Sequence, residues 1–176
     1  MLVSGAPGSG KTTLARRLAE ELGFPLLTRD GLKETLLDVL GAPDRPTSQH
    51  LGSASYALLY AVLDVLVGTI PGVIAESNFA RGRSEADLRP LVARARTVLL
   101  HCQTTSEEVE RRIVTRSGAG DRHAGHHDTE ALPSVLEGIT KGIFNPLELP
   151  LPVLRIDTTD GYTPALPDIV RFVREA

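Results

Sequence analysis

Eight residues near the start of the chain, Gly5-Ala6-Pro7-Gly8-Ser9-Gly10-Lys11-Thr12, constrain what it can fold into more than any others. They fit the template of a glycine, four residues, then Gly-Lys-Ser/Thr. In front of them Met1-Leu2-Val3-Ser4 reads as a short buried strand. Behind them Leu14, Ala15, Leu18, Ala19 and Leu22 make an apolar stripe at helical spacing. A strand that turns into a helix through glycines aims several backbone N–H groups inward, at the positive end of the helix dipole. Glycines keep side chains off the bound group and allow unusual backbone angles. Gly5, Pro7, Gly8, Ser9 and Gly10, with Thr13 just beyond, are therefore expected to cradle phosphates. Lys11 is expected to reach the β- and γ-phosphates and the Thr12 hydroxyl to ligate Mg²⁺. A chance glycine turn would not carry both flanks, so the implied ligand is a nucleoside triphosphate.

The chain has 176 residues, a net charge of −3 and 41% hydrophobic residues, which suits a single acidic domain spanning 1–176 with a full core. Its basic residues are 16 arginines and three lysines, with no basic arm, and this argues against a nucleic-acid partner. Cys102 is the only cysteine and reads as a small buried residue. The longest apolar run, Tyr56 to Val67, contains Asp64 and is too short to span a bilayer; it reads as a buried helix. With no basic-then-apolar leader, a cytoplasmic protein without membrane contact is expected. Because Met1 already lies in the first strand, the true start could lie upstream.

Strands and helices alternate along the rest. Phe24 to Thr28 reads as the second strand, Arg29-Asp30-Gly31 as a turn, and Leu32 to Leu40 as a helix. Gly41 to His50, with Pro43 and Pro46, reads as a surface loop before a helix from Ser53. Val73 to Glu76 is a third strand. Ser84-Glu85-Ala86-Asp87 is a helix-start signature, Thr97 to His101 a fourth strand, and Thr105-Ser106-Glu107-Glu108 another capping box, opening a helix to about Arg116. Ser117 to Thr129, rich in glycine and histidine, reads as a loop, followed by a helix over Glu130 to Lys141. Val153 to Asp157 is a fifth strand, and a last helix begins near Pro164 to Pro167. The fold class this implies is α/β: a three-layer P-loop NTPase sandwich, five parallel strands with helices on both faces.

Other triphosphate users are disfavoured. Thr140-Lys141-Gly142-Ile143 lacks the aspartate of a guanine-reading motif. No transporter signature helix is present, nor a paired Asp-Glu after the third strand as in ring-forming ATPases. Small P-loop kinases remain. The whole chain resembles one branch of them: chloramphenicol phosphotransferase, the kinase domain of 5′-hydroxyl polynucleotide kinases, and zeta-toxin-like sugar-nucleotide kinases. The likeness is carried by Gly5 to Thr12, Thr28-Arg29-Asp30-Gly31-Leu32-Lys33, Val73-Ile74-Ala75-Glu76-Ser77-Asn78-Phe79, and Arg112-x-x-x-Arg116 with Arg122.

The resemblance implies that Asp30, just past the second strand, accepts the proton of an acceptor hydroxyl; an aspartate there could also cap the following helix. Lys33 stands where polynucleotide kinases have an arginine that grips a substrate phosphate, or is a solvated helix lysine. Glu76 corresponds to the Walker-B-like acid, on the Mg²⁺ water shell or on the acceptor. Asn78 and Arg81 fall in the turn used for substrate contacts, although Asn78 also suits an ordinary turn. Arg112, Arg116 and Arg122 correspond to arginines of a lid, about 112–129, that fold over the γ-phosphate. Arg112 has a competing partner in Glu108, four residues earlier. The histidines from His123 to His127 match no common zinc spacing, and a mobile lid that orders on triphosphate binding is expected there. Tyr56 and Tyr60 either line an apolar pocket or belong to the core.

These readings converge on an ATP- and Mg²⁺-dependent kinase acting on a hydroxyl of a small molecule, such as an antibiotic, nucleoside or sugar-like metabolite. The alternatives are a 5′-hydroxyl polynucleotide kinase and a nucleotide-binding module that transfers nothing.

Overall fold

Two apolar residues, a serine and a glycine, Leu2–Gly5, form the central strand β1, all four buried. A strand covered on both faces must send consecutive side chains into two different cores. Leu2 enters one with Leu59, Leu63, Leu88 and Leu99, while Val3 enters the other with Leu14, Leu18, Leu100 and Ile169. The computed structural model describes residues 1–41, 43–119, 123 and 128–176.

Among these, the elements in chain order are β1, α1 (Lys11–Leu22), β2 (Leu26–Thr28), α2 (Arg29–Leu40), α3 (Arg45–Leu66), β3 (Ile74–Glu76), α4 (Ser84–Val92), β4 (Leu99–Gln103), α5 (Ser106–Ala119), α6 (Asp128–Thr140), β5 (Val153–Asp157) and α7 (Leu166–Glu175). The strands lie parallel in the order β2-β3-β1-β4-β5, which bears out the expected sheet and its helical layers. All five strands end on one edge. Val3 and Thr28 both pair with Glu76, and Gly5 pairs with Cys102. The chain builds outward from β1 on both sides, so the crevice where ligands bind in such sheets opens above β1. A third, smaller core of Val109, Ile113 and Val135, with Phe144 beside it, joins α5 to α6.

Several local expectations are corrected. Residues 41–50 are not one loop, because α3 begins at Arg45. The Asp44 carboxylate accepts from Thr47 N at 2.8 Å, and Pro46 sits in the first turn, where its missing N–H costs nothing. Arg29-Asp30-Gly31 is not a turn but the start of α2. Its cap is Thr28, whose Oγ1 accepts from Gly31 N at 3.0 Å, so Asp30 does not cap. Ser84 opens no capping box: the cap position of α4 is Arg83 and no side chain caps there. Helix α5 continues to Ala119 and α6 starts at Asp128, shortening the loop expected over 117–129. The run from Tyr56 is buried on one face only; Leu59 and Leu63 are in the core while Leu58 and Val65 are exposed. Cys102 is buried as expected, and burial pushes its thiol up to about 12. No helix among the described residues is long and apolar enough to cross a membrane.

Candidate functional site

The loop between β1 and α1 is shaped by glycines. Gly5 has φ 148°, and a Cβ on it would lie 2.3 Å from the Cys102 carbonyl oxygen. Gly8 has φ 79°, and a Cβ there would press to 3.1 Å on the Val109 carbonyl. Only glycine tolerates such angles in such close quarters. Gly10 (φ 78°) ends the loop with no side-chain cap, and the first turn of α1 holds no acidic residue. Among the described residues, the helix N–H groups at this end thus face the crevice with neither a side-chain cap nor a first-turn acid to satisfy them.

Two cavities meet at this loop. The first, about 490 Å³, is lined by Gly10, Lys11, Thr12, Thr13 and Arg17, then by Arg112, Arg116 and the loop after β5 with Thr158, Gly161 and Tyr162. The second, about 280 Å³, lies toward β2 and β3 and is lined by Pro7, Arg29, Asp30, Lys33, Asn78, Ser134 and Phe144. Gly8, Lys11, Thr12 and Arg116 line both. A phosphate chain lying along the first cavity with its end at this shared wall would present that end to the second.

Lys11 is only 7% exposed. Its Nζ donates to Ala6 O at 3.3 Å and lies 3.9 Å from Glu76 Oε1. Glu76 is 2% exposed at the end of β3, beneath the loop rather than in either cavity wall. A carboxylate so deeply buried requires a cation, and Lys11 supplies one. Asn78 lines the second cavity, and its carbonyl accepts from Ser4 Oγ at 3.3 Å. The turn it belongs to holds the fully buried Phe79 at φ 27°, a positive angle rare for a side chain of this size. Lys33 is 6% exposed and donates to Ser48 Oγ at 2.7 Å, so it is no solvated helix lysine.

The structure separates the arginines. Arg116 reaches the shared wall. Arg112 lines the first cavity, but its guanidinium is committed to protein oxygens: Nε to Glu108 Oε1 at 2.5 Å, Nη2 to Thr158 O at 2.6 Å, and Nη1 to Gly8 O at 3.2 Å. Thr158 Oγ1 in turn donates to Ser9 O at 2.8 Å. Arg112 is thus a strut between the glycine loop and the loop after β5, and its pairing with Glu108 is the one its helical spacing forecast. Arg81 lines neither cavity; it forms a surface ion pair with Glu148. Arg122 and the histidines at 126 and 127 lie outside the described residues. His123 is described, with Nε2 3.1 Å from Asp38 Oδ1 on α2.

Sequence reasoning missed Arg17, Thr158 and Tyr162, where Arg17 lies 5.5 Å from the Tyr162 ring centre. Thr158 directly follows β5, so its place at the strand-end edge was a usable signal. Arg29 was missed as well, though it lay inside a quoted motif. Tyr56 and Tyr60 pack 6.1 Å apart, and the Tyr56 hydroxyl accepts from Ser77 Oγ at 3.1 Å.

For Mg²⁺, oxygen donors at the loop fit a hard cation held mainly by phosphate. Thr12 offers a hydroxyl at the shared wall, with the Glu76 carboxylate below. Among the described residues no cluster of three or more His, Cys, Asp or Glu is disposed to hold a metal by itself.

Fold and site together define a P-loop nucleotide-binding domain of the kinase type. A family model described as an AAA domain (AAA_33) matches residues 1–139. The chain belongs to the AAA_33 family. It is 30% identical over 126 residues to uncharacterized proteins of Mycobacterium bovis and Mycobacterium tuberculosis, covering 66% of this chain. It spans about a quarter of the length of those curated relatives, 25%. Among solved structures it is similar to a Chloroflexus aurantiacus protein whose designation as a kinase is provisional, at TM-score 0.84 and 32% identity, covering 99% of this chain and 95% of that one. At lower identity, which speaks for the fold alone, it resembles a sugar kinase from a Janibacter species (TM-score 0.62, 18% identity, covering 99% and 94%). A shikimate kinase from Acinetobacter baumannii in complex with shikimate is similar at TM-score 0.53 and 20% identity, covering 99% and 89%.

Proposed function

We propose that the chain is an ATP- and Mg²⁺-dependent kinase that phosphorylates a hydroxyl group of a small molecule such as an antibiotic, a nucleoside or a sugar-like metabolite. The observation that carries this reading is the wall shared by two cavities, with Lys11, Thr12 and Arg116 in it and Asp30 across the second cavity. In this reading the triphosphate occupies the first cavity and its γ-phosphorus sits at the wall. The acceptor oxygen attacks from the second cavity, the bond from the γ-phosphorus to the bridging oxygen breaks, ADP leaves, and Asp30 takes the acceptor's proton. Lys11 and Arg116 stabilise the charge that spreads over the transferred group. Thr12 and Glu76 would hold Mg²⁺, which supplies further neutralisation of the phosphates. The kinase designations of similar structures support the reaction class. The chain's likeness to chloramphenicol phosphotransferase and its kin supports the same acceptor group.

A polynucleotide 5′-hydroxyl gains some support from the cations Arg29 and Lys33 beside Asp30. A cavity of about 280 Å³ suits a small molecule better. The test begins with a panel of hydroxylated metabolites, antibiotics and a 5′-hydroxyl oligonucleotide, read by ADP release. Asp30→Asn should then lower transfer by roughly 10²–10⁴-fold with ATP affinity unchanged. Wild-type transfer by Asp30→Asn would remove Asp30 from the reaction and leave a kinase whose base is unassigned, whereas no transfer to any member of the panel would favour a nucleotide-binding module.

A further inference from the structure

Consecutive helix residues point about 100° apart, so their side chains do not meet by default. Arg29 and Asp30 are the first two residues of α2, yet Arg29 Nη1 donates to Asp30 Oδ1 at 2.8 Å. Something must steer the arginine into that contact, and α3 does so from two sides. The Arg29 guanidinium carbon lies 5.0 Å from the centre of the Tyr56 ring, a cation–π distance. The ring is itself pinned by the hydrogen bond from Ser77, next to Glu76. One helical turn before Tyr56, on the same face, Gly52 leaves room for the guanidinium; a Cβ there would come within 2.7 Å of Arg29 Nη2. Glycine inside a helix costs about 1 kcal/mol relative to alanine, so a buried Gly52 in mid-α3 needs such a reason.

We propose that Arg29 is a positioning residue that fixes the Asp30 carboxylate, held in place by Tyr56 and by the gap at Gly52, and so ties the reactive aspartate to helix α3. The inference rests on the role of Asp30 given above. A carboxylate with one oxygen in a fixed bond has one orientation instead of several, which is the condition for aligning an attacking hydroxyl. Substitution on α3, with no group in contact with substrate, then alters the chemistry.

The test uses the whole chain with Mg-ATP and water as the acceptor, with the affinity for a non-hydrolysable ATP analogue measured alongside. Arg29→Gln should lower ATP hydrolysis roughly tenfold to a hundredfold with analogue affinity unchanged. Arg29→Lys, which keeps the charge but not the planar fork, should fall between it and wild type. Gly52→Ala changes no charge and favours the helix, yet should slow hydrolysis by about threefold or more because its methyl displaces the guanidinium. It carries the test if Arg29→Gln does not fold. The deciding comparison is Arg29→Gln/Asp30→Asn against Asp30→Asn alone. A residue acting through Asp30 adds less than about twofold in that background. Additive losses, wild-type hydrolysis in Arg29→Gln or Gly52→Ala, or weakened analogue binding would each overturn the assignment. A slow Asp30→Asn beside a fast Arg29→Gln removes only Arg29. A wild-type Asp30→Asn removes the role of Asp30, and this inference with it.

Discussion

Lys11 faces two demands at once. In its proposed role as a phosphate ligand it has to be available to the crevice, yet its Nζ sits 3.9 Å from a carboxylate that is almost wholly buried. Removing the lysine therefore does more than empty a phosphate contact, because it leaves Glu76 charged without this cation. Lys11→Met is expected to lose triphosphate affinity tenfold or more and also about 3 kcal/mol of stability. Adding Glu76→Gln to that variant should restore the stability and not the affinity, as read by denaturant unfolding and by calorimetry with ATP. If the two losses cannot be separated in this way, the ion pair is not what stabilises the loop. Residues such as Lys11 and Thr12 were legible in the sequence because their spacing is dictated by one continuous turn of backbone. Arg29 was not legible, since its direction is set by Tyr56 and Gly52 on another helix. Arg112 was half legible: its helical partner Glu108 could be read, its carbonyl partners across the loops could not.

The elements show the same division between local and distant causes. The start of α2 is fixed by Thr28, so Thr28→Ala should cost about 1 kcal/mol, while Asp30→Asn should leave the unfolding midpoint in place. Parallel loss of stability in both variants would return Asp30 to a capping role. Strand β4 carries a different liability. His101 is 5% exposed, and burial, aided by the Arg155 charge, holds its imidazole down to about 4. An unfolded histidine titrates near 6.5, so between about pH 6.5 and 4 the unfolded chain takes a proton that the native one refuses. Stability from this group is complete above that window and is lost as pH falls through it, by up to about 3 kcal/mol. Denaturant midpoints at pH 7.5 and 4.5 should differ accordingly, and His101→Gln should remove that part of the difference. Most elements were readable from hydrophobic period and glycine punctuation. The start of α3 was misread because prolines at 43 and 46 suggested a loop, although Asp44 followed by proline in a first turn is equally a helix start. The order β2-β3-β1-β4-β5 was not readable from any local pattern, because it is decided by which apolar faces meet after the chain has crossed over.

At the scale of the molecule, the glycine loop is held from several directions. Lys11 and Glu76 anchor it toward β3, the Arg112 strut and Thr158 anchor it toward β5, and Ser9 is the residue where Thr158 grips. One partition then serves both cavities, since Gly8, Lys11, Thr12 and Arg116 belong to each. Two guests on opposite sides of one partition cannot bind as strangers. If a triphosphate draws Lys11 and Arg116 toward itself, it resets the field and shape that the other guest meets, and thermodynamic reciprocity requires the second guest to return the same factor. Titrating an ATP analogue with and without the acceptor, then the acceptor with and without the analogue, should give equal ratios different from one. The sign of that coupling decides whether the two cavities fill together or each at the expense of the other.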